Sequence, residues 1–411
     1  MIPHLSRIMR HYLLLAFLFP ANLLFAQDIT LSGKVFDGET KEPLPYASVW
    51  IKGKTIGTIT NQQGDFDFHI PEAFRNETLV ISMLGYRNYE SPVNALNSNE
   101  PLAIALENSM VLLNELVVRD SLTGGDILQR ALSSIEKNYP MRPFLMEGFY
   151  RDIKKVGGTY ISLLEAAVEI YDESYKQPRN KLKLREGVKL LEVRKSLGYE
   201  NKFTTFFDQD NLLEDLLLHN TIRYRQIEAR EEMYAVMKRE RDSYYNGNEI
   251  FVITYAGEYF LKIFVEKSDF SIIHLEFEIN GSDNIPGRKK NMSSRFTGIK
   301  KTIDFKRIEG KMFLNYISVT SNVNWYDVKT NELKFTTELF QQLLINHVIP
   351  DTDEEISSVE KMSNYGLQYQ DEAYNKKFWK KYNVIKDTPL DQKIVQDLEK
   401  AGPLDKQFEK N

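Results

Sequence analysis

The sequence predicts a mostly β protein with some α, in two folded parts: a β-sandwich, then a larger α+β domain on an antiparallel sheet. Three observations predict it. Between Ile29 and Tyr86, short alternating runs recur about every 8–12 residues with turn residues between them. From Leu145 to Trp325, longer alternating runs are joined by Gly157-Gly158 and Asn246-Gly247-Asn248. Helical spacing of apolar residues is clear at 126–138, 211–220 and in the C-terminal tail. The chain has 411 residues, 42% of them hydrophobic and 12% aromatic, which is enough for more than one core.

Residues 1–26 read as a secretory signal. Arg7, Arg10 and His11 form a polar start, Tyr12–Phe19 an apolar stretch, and Leu24-Phe25-Ala26 ends on a small residue, placing cleavage between Ala26 and Gln27. The apolar stretch is about half the ~20 residues that a bilayer span needs. No later segment is apolar enough to span: Leu212–Leu218 is broken by Glu214 and Asp215. The mature chain is therefore expected in the periplasm or at the outer membrane, without a transmembrane segment. It contains no cysteine, which excludes disulfides, thiolate metal sites, a cysteine nucleophile and a lipid-anchored cysteine. Net charge is -5, mixed in sign, with no basic stripe for nucleic acid.

The first domain is expected over 27–118. Thr30–Asp37 alternates, with Leu31, Gly33 and Val35 on one face. Ala47–Lys52 turns Val49 and Ile51 inward, and Gly53-Lys54 is a turn. Thr55–Asn61 is a short strand, Gln62-Gln63-Gly64 a turn, and Asp65–Ile70 places Phe66, Phe68 and Ile70 on the core face. Thr78–Leu84 closes the set before Gly85.

Five spaced elements in this stretch carry a resemblance: Gly33 and Val35; Pro43 to Val49; Gly57 to Thr60; Gly64 and Phe66; and Gly85-Tyr86. In this order they resemble the carboxypeptidase regulatory-like domain, a transthyretin-like β-sandwich. Asn61 departs from the pattern, standing where Asp is usual. The resemblance implies a non-catalytic module like the N-terminal extension of TonB-dependent receptors of Bacteroidota. Leu113–Val118 looks like the segment leading into their plug, but no plug or barrel follows here. It covers about 90 of the 411 residues. His69-Ile70-Pro71-Glu72 has the H-x-x-E spacing of zinc carboxypeptidases. However, His69 falls on the outward parity of its strand, Pro71 ends that strand, and the next histidine, His219, lies in the other domain; a surface histidine is the expectation, with no metal or other cofactor.

Residues 119–125 are read as a linker on the strength of Gly124-Gly125 and polar neighbours. Within it, Asp120-Ser121-Leu122 resembles the O-glycosylation triplet of Bacteroidota, with Ser121 the acceptor, although so short a triplet also arises by chance.

The second domain is expected over 126–349. A helix spans 126–138, capped by Asp126. Strands follow at Leu145–Ile153 and Tyr160–Asp172. Lys176–Arg194 is basic: either a phosphate or lipopolysaccharide contact, or a solvated strand pair or loop; Glu186 and Glu192 dilute it. Asn211–Asn220 is helical. Strands are expected at Tyr234–Asp242, Glu249–Tyr255, Tyr259–Lys267, Ser271–Asn280, Arg295–Arg307 and Lys311–Trp325. Phe335–Val348 suits both types and is assigned as strand because it follows a turn at Lys329–Glu332. The helices at 126–138 and 211–220 are candidates to cover the sheet. The helix and the Gly148-Phe149-Tyr150-Arg151 run after it resemble a recurrent companion of the regulatory-like domain with no established activity. The meander is also similar to curved half-barrels that carry lipoproteins or lipids across the periplasm. Residues 350–411 form a helical tail on this domain, through Phe378–Val384 and a last helix with Ile394, Val395 and Leu398 inward, ending at Gly402-Pro403.

No catalytic motif is present: there is no G-x-S-x-G, P-loop, G-x-G-x-x-G or H-E-x-x-H. His69, His219, His274 and His347 are far apart in sequence, and Asp351/Asp353 and Glu354/Glu355 read as solvated loop acids. The expected function is a non-catalytic envelope binding or assembly protein that docks through the sandwich, its partner an envelope protein such as one of the outer membrane. The alternatives are a periplasmic lipid or lipoprotein carrier and a hydrolase with an unrecognised site.

Overall fold

In the first part of the chain, residues that alternate in sequence alternate in burial. The computed structural model describes residues 28–109, 121–200, 202–207, 211–227, 230–281, 287–362, 366–370, 373–386 and 389–409. Ala26, Gln27, Leu113–Val118 and Asp120 lie outside them. Strands β1 (Ile29–Asp37), β2 (Ser48–Ile51), β3 (Gly57–Ile59), β4 (Asp65–Ile70), β5 (Thr78–Ser82), β6 (Tyr89–Pro92) and β7 (Leu102–Leu106) form two sheets, ordered β4-β1-β7 and β3-β2-β5-β6. Leu31, Val35, Val49, Ile51, Phe66, Phe68 and Ile70 are fully buried between them. β1 runs antiparallel to β4, with Leu31 opposite Phe68, and parallel to β7, with Val35 opposite Ile104.

Two of the motif residues have a direct physical reason. Gly64 has φ +75, and a Cβ there would lie 2.2 Å from the Val35 carbonyl oxygen, so only glycine lets the turn close on β1. The Tyr86 hydroxyl donates to Asp37 Oδ2 at 2.8 Å, while the backbone N–H groups of Glu39 and Thr40 donate to Oδ1 at 2.7 and 2.8 Å. These donors hold the Asp37 carboxyl below its ordinary value. The strand read over 55–61 is shorter than expected. At Thr60 the regular ladder gives way: its hydroxyl accepts from the Ala47 N–H and donates to the Leu44 carbonyl, while its backbone N–H and carbonyl still pair with Ala47 and Tyr46.

The second part opens with helices α1 (Gly124–Ser133) and α2 (Ile135–Asn138), broken at Ser134 rather than continuous over 126–138. The cap is Thr123, not Asp126. The Thr123 hydroxyl accepts from the Asp126 N–H, and the Asp126 carboxylate accepts from the Thr123 N–H, a capping box. Gly124 and Gly125 are correspondingly not linker but the first helical turn. Cβ atoms there would come within 2.6 Å of the Met237 carbonyl oxygen and 2.4 Å of that of Tyr234.

The sheet is built from β8 (Phe144–Val156), β9 (Thr159–Asp172), β10 (Gly187–Lys195), β11 (Lys238–Arg239), β12 (Ser243–Tyr245), β13 (Asn248–Ala256), β14 (Phe260–Glu266), β15 (Ile272–Asn280), β16 (Gly287–Lys289), β17 (Met292–Ile308), β18 (Lys311–Asp327) and β19 (Leu333–Ile349). Twelve strands pair antiparallel in one open sheet ordered β10-β9-β8-β19-β18-β17-β15-β14-β13-β11, with β12 on β13 and β16 on β17. Residues 335–348 are strand, as read. Residues 234–242 are not a single strand: Glu231–Val236 is a helix, α4, whose Met233 is buried against the sheet, and only Lys238–Arg239 joins the ladder. The remaining helix, α3 (Leu212–Leu218), is capped by Asn211 and buries Leu212, Leu213, Leu216 and Leu217.

One face of this sheet carries α1, α3 and α4 over a core that includes Ile127, Leu128, Leu216, Ile263, Leu275, Ile303, Phe313 and Leu343. The opposite face carries the sandwich and the tail. There Ile59 of β3 packs with Phe149, Ala167, Tyr316 and Leu344 of the sheet and with Trp379 and Ile385 of the tail. The tail contributes helices α5 (Lys376–Trp379), α6 (Pro389–Leu398) and α7 (Leu404–Phe408). α7 lies beyond Gly402-Pro403, where the sequence places the end of the last helix. Its Gln407 accepts from the Leu197 N–H and donates to the Leu398 carbonyl.

Candidate functional site

The sequence singles out residues that the fold disperses. Ser121 is exposed just before the Thr123 cap. His69 does face away from the sandwich core, but it is not at the open surface. Its Nδ1 lies 2.8 Å from the Thr30 hydroxyl, and its backbone N–H and carbonyl pair with the Asn383 side chain at 2.8 and 3.1 Å. Burial holds its imidazole below the ordinary value, against the pull of Asp67 and Asp28. Among the described residues, no group of three His, Asp or Glu side chains is placed to hold a metal.

The basic run divides. Arg194 pairs with Glu165 at 2.6 Å, Lys189 with Glu169 and Glu360 at 3.1 Å each, and Arg185 with Glu173 at 3.7 Å. Lys176, Arg179 and Arg185 line a hollow of about 310 Å³ with Arg223, itself held by Asp172 at 2.6 and 2.9 Å. Much of this charge is committed to neighbouring carboxylates.

The seam between sandwich and sheet is built by the outer face of β2–β3–β5 and by the strap 382–386. Tyr46 stacks on Tyr316 with ring centroids 5.5 Å apart, Lys306 Nζ sits 4.5 Å from the Trp50 ring centroid, and Ile56 bridges to His347. The Lys386 ammonium pairs with Asp67 at 2.9 Å, and Asn61 Nδ2 donates to the Lys386 carbonyl at 3.2 Å. Burial beneath the sandwich brings the Lys306 ammonium down to about 7. On the side away from this seam, β7 pairs only with β1 among the described strands, and Ala103 and Ala105 are exposed on it.

The helix face of the sheet is not filled throughout. A cleft of about 680 Å³ opens between α4 and the 221–227 loop, lined among others by Met233, Val236, Tyr255, Tyr259, Phe277 and Lys301. Lys301, only 8% exposed, lies 4.7 Å from the Phe277 ring centroid and donates to the Thr221 hydroxyl at 3.3 Å. Burial, with no carboxylate among the described residues acting against it, brings its ammonium down to about 8. His219, at the end of α3, is lowered to about 4, first by burial and then by Lys301.

Sequence reasoning missed Lys301, although a signal existed. Ile299, Lys301 and Ile303 alternate, which places the lysine on the apolar parity of β17. It expected the 211–220 helix over the sheet, but not that His219 at its end would stand near Lys301.

Residues 31–118 match the model of the CarboxypepD_reg-like domain. The TonB-dependent receptor SusC of Bacteroides thetaiotaomicron is 38% identical over 94 residues, 23% of this chain; the chain spans only 8% of that receptor's length. Among solved structures, a lipovitellin resembles 61% of this chain at 10% identity, over 29% of its own length, with a TM-score of 0.25. The MucA/MucB complex of Pseudomonas aeruginosa resembles 56% at 8% identity, over 99% of that chain, with a TM-score of 0.19. Likeness at these TM-scores carries no argument about function. No helix among the described residues is long and apolar enough to cross a membrane.

Proposed function

We propose, on the premise that residues 31–118 are a CarboxypepD_reg-like domain, that this chain is a non-catalytic cell-envelope binding or assembly protein that docks through that domain. One observation carries the reading: the module is fixed by its β2–β3–β5 side to the long sheet, while β7, at the far edge, keeps a flank without a described partner strand. A short strand edge with small exposed residues accepts a further strand through backbone hydrogen bonds. The relation to the SusC N-terminal region supports an exported chain working beside an outer-membrane protein. Cleavage between Ala26 and Gln27 and glycosylation of Ser121 belong to the same reading.

A photo-crosslinking amino acid at Ala103 tests it in envelope preparations of the producing cell. The expected result is one discrete adduct to an outer-membrane protein. It should be lost in Ala105→Glu, whose thermal unfolding should match the parent because Ala105 is exposed. Absence of any discrete adduct, or an adduct indifferent to Ala105→Glu, overturns the docking edge.

A further inference from the structure

Four side chains form one row across four neighbouring strands. Tyr255 of β13 stands opposite Leu261 of β14, Leu261 opposite Phe277 of β15, and Phe277 opposite Lys301 of β17. Directly paired residues point to the same side of a sheet, and strands lie about 4.8 Å apart, so the row runs about 14 Å from Tyr255 to Lys301. Beyond Lys301 it continues through Val319 of β18 to Gln341 of β19. There it passes beneath α3, where Gln341 Nε2 donates to the Leu212 carbonyl. The row is therefore covered on one side of Lys301 and open on the other, and the lysine stands where the cleft ends.

The floor of the open part is apolar and aromatic, and the charged residues of the lining, Arg230, Glu232 and Glu258, are exposed at its rim. Tyr255 and Tyr259 have ring centroids 4.9 Å apart, and Tyr259 and Phe277 5.1 Å apart, forming a continuous ring surface. Met233 is buried on the α4 side, and Val236 stands 56% exposed at the rim. A single buried cation at the end of such a trough is costly without a counter-charge. Its contacts are one hydroxyl and one ring face. The Thr221 hydroxyl that accepts from it also donates to the His219 carbonyl, so the loop orients that oxygen toward the ammonium.

We infer that this cleft binds an amphipathic monocarboxylate, with its carboxylate on Lys301 and its hydrocarbon chain lying over Phe277 and Leu261 toward Tyr255. The head enters first because the charge is at the covered end. A single negative charge matches a single buried ammonium that has no carboxylate partner among the described residues, and the row's length matches a medium-chain acyl tail. The apolar floor rewards hydrocarbon, and Lys301 is the one buried charge among the described residues of the lining. The lowered value of the free lysine leaves it largely protonated at neutral pH, and a bound carboxylate would raise it again.

Isothermal titration of the full mature chain with decanoate, decanol, decyl phosphate and decyltrimethylammonium, all below their micelle concentrations, tests the inference. Decanoate is expected to bind at one site, at least tenfold more tightly than decanol or decyl phosphate, with no detectable heat from the cationic amphiphile. Its affinity should fall as pH rises through the titration of Lys301. Lys301→Met should weaken decanoate at least tenfold and erase its advantage over decanol. Val236→Glu, at the exposed rim, should weaken decanoate at least threefold with unchanged thermal unfolding, so the test survives if the lysine variant folds poorly. Equal binding of decanoate and decanol, tighter binding of decyl phosphate, no binding of decanoate, or indifference to both substitutions would overturn it. None of these outcomes bears on the β7 edge.

Discussion

Asn61 shows at the scale of a single residue why a departure from a family pattern can be informative. Its Oδ1 accepts from the N–H groups of Gln63 and Asp65, both at 2.9 Å, which an aspartate would do equally well. Its Nδ2 donates to the Lys386 carbonyl, which an aspartate cannot do. The amide thus serves the turn and the tail at once. Asn61→Asp should leave the sandwich folded but set a carboxylate against a carbonyl in a buried place. The expected loss is about 1–3 kcal/mol in denaturant unfolding, with the 382–386 strap exchanging amide hydrogens faster. An unchanged midpoint would show that the strap is held without this contact. His274 is a second case. Burial opposes its charge, but Asp304 at 2.5 Å and Glu276 at 3.2 Å outweigh that and raise it to about 9. Its place between Ile273 and Leu275 puts it off the core parity, but the acid facing it comes from β17, thirty residues away.

At the scale of elements, local chemistry was readable where it is complete within a few residues. The turn at Asn246-Gly247 is followed by its strand as expected, with both residues at positive φ, 49° and 86°. Thr123-x-x-Asp126 is a capping box legible in the sequence, yet the paired glycines suggest a linker and shift the expected cap to Asp126. Their small size instead lets α1 meet the backbone of 234–237, a contact that only folding creates. Thr123→Ala should cost about 1 kcal/mol and lower the helical circular dichroism slightly. A far smaller cost would mean that the packing of Ile127 and Leu128 holds the helix start by itself. The misread at 234–242 has the same origin: Tyr234, Val236 and Lys238 alternate, but Met233 is drawn into the core under α1, and the backbone coils to place it there.

For the whole molecule, the cluster of Ile59, Phe149, Tyr316, Leu344, Trp379 and Ile385 draws on the sandwich, the sheet and the tail together. A shared buried cluster couples the parts it joins, so calorimetry should record a single unfolding transition. Ile59→Ala combined with Tyr46→Ala removes the sandwich's share. Burial of Ile59 alone is worth about 2–5 kcal/mol, and the double variant should split the transition in two. Two transitions in the parent protein would mean that the seam is too weak to couple the parts. The joining of β8 to β19, where Tyr150 faces Leu343, is likewise a property of the whole chain.

Residue order was enough to establish the sandwich, five of its seven strands with their core residues, the family resemblance and the antiparallel character of the second domain; β6 and β7 were not legible in it. Each of these rests on spacing within a few residues, where the period of two, turn glycines and proline leave a direct trace. Folding was needed to make the sheet one open surface of twelve strands, to strap the sandwich to it with the tail, and to place Lys301 at the end of an apolar row. Those features depend on strand register and on which helix covers which strand. They are set by the total burial of distant apolar faces, and no local window of sequence records that sum.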